Sequence, residues 1–374
     1  MKEIFKNPWW VVFGAVIGLL VGNGPVMQFT FGVFLKPISQ DMGWDRGTIS
    51  LALNAGLVLT GLATPIAGRL MDRYGIRTVA LPAITIFALA TASVSLVSSS
   101  AALFVALYAL MGLAAAGQTP MPYSKAIATW FDKKRGLALG IAISGVGLGT
   151  AIVPKFALSL IQSYGWREAY IGLGILTFVL AFPAVLLFIR DRKIAAGEKG
   201  KARLIVQKGL TAAEALRTSD FWLLAASFFF VALAANGAIA HVVPMLTDRG
   251  VPPGVAISAL SVAGMALIGG RLVSGYLLDR IFAPYVAAAF FLAPLAGLVV
   301  LMQAHDATLG AVGTVLIGIG LGAEVDLIAF LLTRYLGNRS FWRDLRLSVP
   351  CLHARIWSRS NDHGRLVRPF RRLF

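Results

Sequence analysis

The sequence predicts an all-α integral membrane protein with an internal duplication. Three observations carry that prediction. Of 374 residues, 57% are hydrophobic and 14% are charged, whereas soluble domains carry about 25% charged residues. The apolar residues gather into ten runs, each long enough for the roughly 20 residues that span a bilayer as helix. Finally, a charged turn occurs twice: GRLMDR, Gly68 to Arg73, returns as GYLLDR, Gly275 to Arg280, 207 residues later.

The N-terminus carries Lys2 and Lys6 ahead of the first run, residues 9–34. That run exceeds a signal-peptide core and shows no A-x-A-like cleavage site, so it reads as a retained helix. Gly22, Gly24 and Pro25 break its centre. The second run, 48–70, ends in the charged turn through Arg77. The third, 78–97, stops at three serines, and the fourth, 103–129, stops at WFDKKRG. The fifth, 137–162, and the sixth, 169–189, are separated by SYGWRE. A polar segment, 190–220, then divides the chain; from Arg190 to Lys208 it holds seven basic residues against two acids. Runs seven to ten follow at 221–246, 255–278, 284–302 and 309–334. The domain expectation is a six-helix bundle over 1–189, a basic loop over 190–220, an incomplete four-helix bundle over 221–338 and an Arg-rich tail over 339–374.

Basic residues set orientation. The N-terminus, the Arg69–Arg73–Arg77 turn, the Lys133–Arg135 loop and the central loop share one side, and the loops opposite are poor in Lys and Arg. The basic side is cytoplasmic by the positive-inside rule. The expected location is the plasma (cytoplasmic) membrane with the N-terminus inside. The net charge of +17 is accounted for in the same way, and no polar basic face with interleaved aromatics points to nucleic acid. The single cysteine, Cys351, excludes an intrachain disulfide and a cysteine metal cluster. No G-x-x-x-x-G-K-[ST] loop supports drive by ATP. No enzyme activity and no cofactor is expected; the partners are a small organic anion, the lipid bilayer and a coupling proton.

The duplication calls for two more helices after the tenth run. From Phe341 the chain is instead Arg-rich, with Gly364 as its one glycine and no run of spanning length. An out-of-frame or otherwise disrupted C-terminus explains this better than a regulatory basic tail. At a membrane such a tail would meet the cytoplasmic face, where anionic lipid favours each basic residue by about 1 kcal/mol.

Polar residues inside the runs are the candidates for chemistry. Arg271 lies eight residues before Asp279, about 12 Å along a helix against a half-core of about 15 Å. A lone arginine there costs at least about 2.5 kcal/mol. It therefore needs a partner, either a substrate carboxylate, which its planar fork matches, or an acid on a neighbouring helix. Glu324 and Asp326 lie at similar depth in the tenth run. Two residues apart, they point about 200° away from each other, so they cannot face one cavity equally. Glu324 is the candidate for proton coupling, for pairing with Arg271 or for packing. Asn54, Gln118, Lys155 and His241 are further intramembrane polar residues, with interhelical hydrogen bonding as their ordinary use. Lys155, after Pro154, is placed to help with a dianion. Gly140, Gly145 and Gly149 suit close helix contact.

The segment GRLMDRYGIRT, Gly68 to Thr78, resembles the inter-helix signature of the major facilitator superfamily, and GYLLDR is its weaker echo. Within it, FGVFLKPISQDMGWDR, WFDKKRGLALGIAISGVGLGTAI, YGWREAY, GGRLVSGYLLDR and GLGAEVDLIAFLLTRYLG resemble the monocarboxylate-porter and oxalate/formate-antiporter branch. The resemblance runs from about residue 9 to residue 339 and then stops. It implies the major facilitator fold: two six-helix bundles around a central cavity, rocking in alternating access, with twelve helices where ten are visible here. It also implies that the eighth-helix arginine, matched by Arg271, binds substrate carboxylate. The eleventh-helix lysine of oxalate-type members has no counterpart. Gly68, Asp72, Arg73, Gly75 and Arg77, with Gly275, Asp279 and Arg280, match the gating turns that bridge cytoplasmic helix ends and break on switching. The function expected is secondary transport of mono- or dicarboxylates, by proton symport or anion exchange. A non-transporting truncated membrane protein and a receptor-like anion sensor are the alternatives.

Overall fold

The computed structural model describes residues 7–131, 134–190, 214, 216–278 and 280–335. Asp279, Lys133, most of the central basic segment and the tail from residue 336 lie outside the described residues, and so does the expectation about that tail. Among the described residues, ten helices are long and apolar enough to cross a membrane. The helical elements are α1 (Trp9–Leu20), α2 (Phe31–Met42), α3 (Arg46–Tyr74), α4 (Ile76–Ser93), α5 (Ala101–Ala115), α6 (Pro120–Trp130), α7 (Arg135–Tyr164), α8 (Trp166–Phe188), α9 (Ser219–Asp248), α10 (Pro253–Leu278), α11 (Ala283–Met302) and α12 (Ala307–Tyr335).

Local chemistry sets the ends, and most helices outrun the apolar segments by a few residues. Asp45 caps α3 by accepting from the Thr48 N–H at 2.9 Å, and Asp306 accepts from the Leu309 N–H at 2.8 Å ahead of the first turns of α12. Such caps satisfy donors that have no partner within the helix. Between α3 and α4, and between α7 and α8, the reversal takes a single glycine. Gly75 and Gly165 have φ of +95° and +104°, a region glycine enters without steric cost.

Two runs are not continuous helices. The first breaks after Leu20 and resumes as a π-helical turn, Gly24–Phe29, before α2; Gly22, Gly24 and Pro25 mark the spot. The fourth was expected to be one helix over 103–129. It breaks between Ala115 and Pro120. Thr119 is extended there, with φ −65° and ψ 165°. A residue before proline avoids the helical region, and Pro120 then opens α6 at a position where it loses no hydrogen bond.

Between the helices, close packing rests on small residues. A Cβ on Gly145 would lie 2.4 Å from the Val16 carbonyl oxygen, and one on Gly149 would lie 2.1 Å from that of Leu20, so α7 rides against the backbone of α1. Gly140 faces open space instead. A third glycine, Gly147, meets Gly264 of α10, with its Cβ position 2.6 Å from that carbonyl oxygen. Ser261 donates to the Ala151 carbonyl at 2.8 Å beside it. Without a hydrophobic drive between helices in lipid, such approaches supply the van der Waals packing. Gly147→Leu should therefore abolish the folded, monodisperse peak in detergent size-exclusion chromatography, while Gly140→Ala leaves it intact.

The chain divides into two units. One comprises residues 1–205 and 233–327, the other 206–232 and 328–374. Within the second, Trp222 donates from Nε1 to the Leu216 carbonyl at 2.8 Å. The first holds two apolar cores. One lies under α1 to α8 and includes Phe31, Phe34, Phe87, Phe104, Tyr108 and Tyr170. The other joins Phe29 and Val33 to Ile239, Val243, Leu246, Leu260 and Leu301.

Candidate functional site

The two helix breaks touch: a Cβ on Gly22 would lie 3.3 Å from the Gln118 carbonyl oxygen. Beside them lies a cavity of about 180 Å³. Gly22, Asn23 and Gly24 line it from the first break, and Gln118, Thr119 and Pro120 from the second. Leu19 of α1, Gln28 and Phe29 of the π-helical turn, Ile143 and Val146 of α7, Leu267 and Arg271 of α10, and Leu321 of α12 complete the wall. Irregular backbone at membrane depth is tolerated where it lines a cavity, and broken helices at mid-membrane are where transporters place their sites.

Arg271 is 7% exposed and is the only charged residue among those lining the cavity. Its Nε donates to Asp326 Oδ2 at 3.1 Å. Its Nη1 is buried without a hydrogen-bond partner. Asn23 Oδ1 and both amide atoms of Gln118 are buried and unpartnered as well. An unsatisfied buried polar group costs about 1–3 kcal/mol, and more than 90% of such groups find partners in proteins generally. Several of them belong to residues that line this one cavity.

The register of α12 decides which acid meets the arginine. Gly318 and Gly322 press on α10; their Cβ positions would lie 2.4 and 2.1 Å from the carbonyl oxygens of Ala263 and Leu267. Asp326 follows four residues after Gly322, hence on the same face, and reaches Arg271. Glu324 follows four residues after Gly320, whose face packs on Pro294 and Phe290 of α11. Glu324 does not line the cavity. Asn54 and Lys155 are exposed and lie outside its wall, whereas Gln118, 1% exposed, belongs to it.

At the C-terminal end of α3, Asp72 forms an ion pair with Lys125 of α6. Gly68 faces Met121, Arg73 lies 5.2 Å over the Tyr74 ring, and Arg77 Nε is buried without a hydrogen-bond partner. In the echo of this turn, Arg280 lies 3.8 Å over the Tyr276 ring and Gly275 faces open space. Asp279 is outside the described residues.

The N-terminal end of α3 carries a charged cluster that the sequence reading passed over. Arg46 donates to Asp248 of α9 at 2.5 and 3.1 Å, and Lys36 of α2 lies 2.7 Å from the same carboxylate. Deeper in, Gln28 donates to Asn236. Asn23 was also missed. Its signal was present, since it sits between the two glycines that break the first run.

A Major Facilitator Superfamily model matches residues 4–341. The chain is 28% identical over 287 residues to the oxalate:formate antiporter of Oxalobacter formigenes, a match covering 74% of this chain and 65% of that protein. It is 25% identical over 348 residues to monocarboxylate transporter 13 of Bos taurus, covering 91% of this chain and 78% of the relative. In architecture it is similar to a bacterial homologue of the human lysosomal transporter Spinster, solved in an inward-facing and occupied conformation. The TM-score is 0.65 at 17% identity, over 90% of this chain and 76% of the other. With ten apolar helices, the repeated charged turn and a family match over nearly its whole length, the chain belongs to the Major Facilitator Superfamily.

Proposed function

We propose that the protein is a secondary transporter of small organic anions, working by alternating access with Arg271 as the carboxylate site. The observation that carries this is the half-used guanidinium. One edge of Arg271 is held by Asp326, while Nη1 stays buried and unpaired beside a cavity. A carboxylate takes that position with charge-assisted hydrogen bonds, roughly twice as strong as neutral ones. The relatives named for monocarboxylate and oxalate:formate transport support the same ligand class.

Charge balance supplies the coupling. Arg271 and Asp326 together are neutral, so an entering anion brings an uncompensated charge into low dielectric, where it is costly. A proton on Asp326 removes that charge, which makes the cycle a symport of one proton with one monoanion. The N-terminus and the Lys/Arg-rich turns face the cytoplasm. Asp248 with Arg46 and Lys36 is then the lock on the opposite side. Partly exposed pairs are worth about 0.2–1 kcal/mol each, so Asp248→Asn should shift the balance toward opening on that side by about 2- to 30-fold. The readout is faster labelling of Val33→Cys, in a Cys351→Ser background, by a membrane-impermeant maleimide; an unchanged rate removes the lock.

The deciding experiment is counterflow of a labelled small carboxylate in proteoliposomes. Saturable exchange supports the carrier. Binding without flux makes the protein a sensor, and neither binding nor flux makes it an inactive membrane protein.

A further inference from the structure

We infer that Gln28 and Asn236 form the inner latch of an outer gate, the seam along which α2 and the π-helical turn before it close on α9. Gln28 is then a positioning residue for the transport cycle, holding the seam shut at the edge of the cavity. The inference uses the alternating-access part of the reading above and none of its assignment of a ligand.

The seam is a ladder with a step of four residues. Gln28 donates to Asn236. Gly32 faces Ala240: a Cβ there would lie 2.5 Å from the Ala240 carbonyl oxygen and 3.4 Å from Pro244 Cδ. Lys36 reaches Asp248 at the rim, at 2.7 Å. Residues four apart share one face of a helix, so a single row of each element is given over to the other. Phe29 and Val33 pack with Ile239 and Val243 in the same apolar core. The middle rung brings backbone against backbone, which leaves no room for a side chain at residue 32.

Place and chemistry make the innermost rung a latch. Gln28 lines the cavity, and among the lining residues it supplies the side-chain hydrogen bond to α9. Parting the seam at that rung therefore opens the cavity toward the end where α2 and α9 finish, at Met42 and Asp248. Both partners are neutral amides. Their bond breaks and remakes without baring a charge inside the membrane, and water entering the parted seam can replace it. The rim pair is ionic and partly exposed, so the two rungs respond differently to salt.

The test is labelling of Val33→Cys, in a Cys351→Ser background, from outside intact cells by a membrane-impermeant maleimide. Val33 is 6% exposed within the seam and reacts when the seam parts. Gln28→Leu is expected to label about 2- to 10-fold faster than this parent. Gln28→Asn and Asn236→Gln each change the length of the bridge and should also label faster. Together they restore both amides and the total length, so the double variant should return to within about twofold of the parent. At high salt the ratio of Gln28→Leu to parent should hold, whereas that of Asp248→Asn should shrink. Gly32→Ile should label fastest of all. Gly61→Ile, at a glycine that faces open space, should label at the parental rate.

An unchanged rate in Gln28→Leu overturns the latch. A double variant no closer to the parent than its single variants overturns the pairing of Gln28 with Asn236. Should Gly32→Ile fail to fold, the amide variants still decide. Because no ligand enters the test, absent counterflow with the expected labelling pattern sinks the anion reading and leaves the gate, and the converse result sinks the gate alone.

Discussion

Arg271→Ala is expected to weaken carboxylate binding by at least about 30-fold and to abolish counterflow. Truncating one member of a buried, hydrogen-bonded charge pair costs about 2–5 kcal/mol, and each 1.4 kcal/mol is about tenfold. The larger part belongs to the ligand, because the unpartnered Nη1 is what a carboxylate would occupy. Arg271→Lys should recover little. An ammonium can pair with Asp326 or with the ligand, but it lacks the planar fork that holds both at fixed angles. Folding survives the change. Removing the arginine leaves Asp326 unpaired, and a carboxyl so placed takes up a proton instead of remaining a buried charge. The double variant Arg271→Ala/Asp326→Ala should then be at least as stable as Arg271→Ala while still failing to bind. The measurement is the Tm rise on adding carboxylate to wild type and variants. A response within twofold of wild type in folded Arg271→Ala removes the arginine from the site.

Much of the architecture was legible because lipid imposes a simple rule. Each crossing needs about 20 apolar residues in helix, so run lengths and basic loops mark out the helices without tertiary knowledge. The break in the fourth run escaped that rule. Its clearest local flag was proline, and proline is a poor flag in this chain: Pro65, Pro82, Pro154, Pro183 and Pro294 all sit inside continuous helices. What distinguishes Pro120 is that its break abuts a second one at Gly22, a contact between residues far apart in sequence.

The acids show the same limit. Sequence spacing said that Glu324 and Asp326 face apart, but only the glycine rows of α12 tell which face meets α10. Gly318 and Gly322 point there, and Asp326 continues their row. Arg271 was found because its cost is local: a charge near mid-membrane is conspicuous whatever surrounds it. Asn23 and the cluster at Asp248 were not found, since a neutral amide costs little to place and ions at helix ends look like ordinary boundary residues.

Asp326→Asn is expected to act in the opposite direction to Arg271→Ala. The substitution keeps the shape of the side chain and removes its charge. Arg271 is then a buried cation without a counter-ion, a condition that costs about 3–5 kcal/mol. The ligand-free protein should unfold at lower temperature. A bound carboxylate supplies the missing charge, so the Tm rise on saturation should exceed that of wild type and half-saturation should move to lower concentration. Coupling changes as well. With no acid beside the guanidinium, nothing needs a proton before the anion enters or after it leaves. Carboxylate-for-carboxylate exchange should persist, while accumulation driven by an inward proton gradient should disappear and binding should lose its dependence on pH. Glu324→Gln provides the contrast. Glu324 lies on the face of α12 that packs on α11, so its neutralisation should leave gradient-driven uptake in place. Proton-driven accumulation surviving in Asp326→Asn and vanishing in Glu324→Gln would transfer the coupling role to Glu324, and the pairing of Arg271 with Asp326 would then be structural alone.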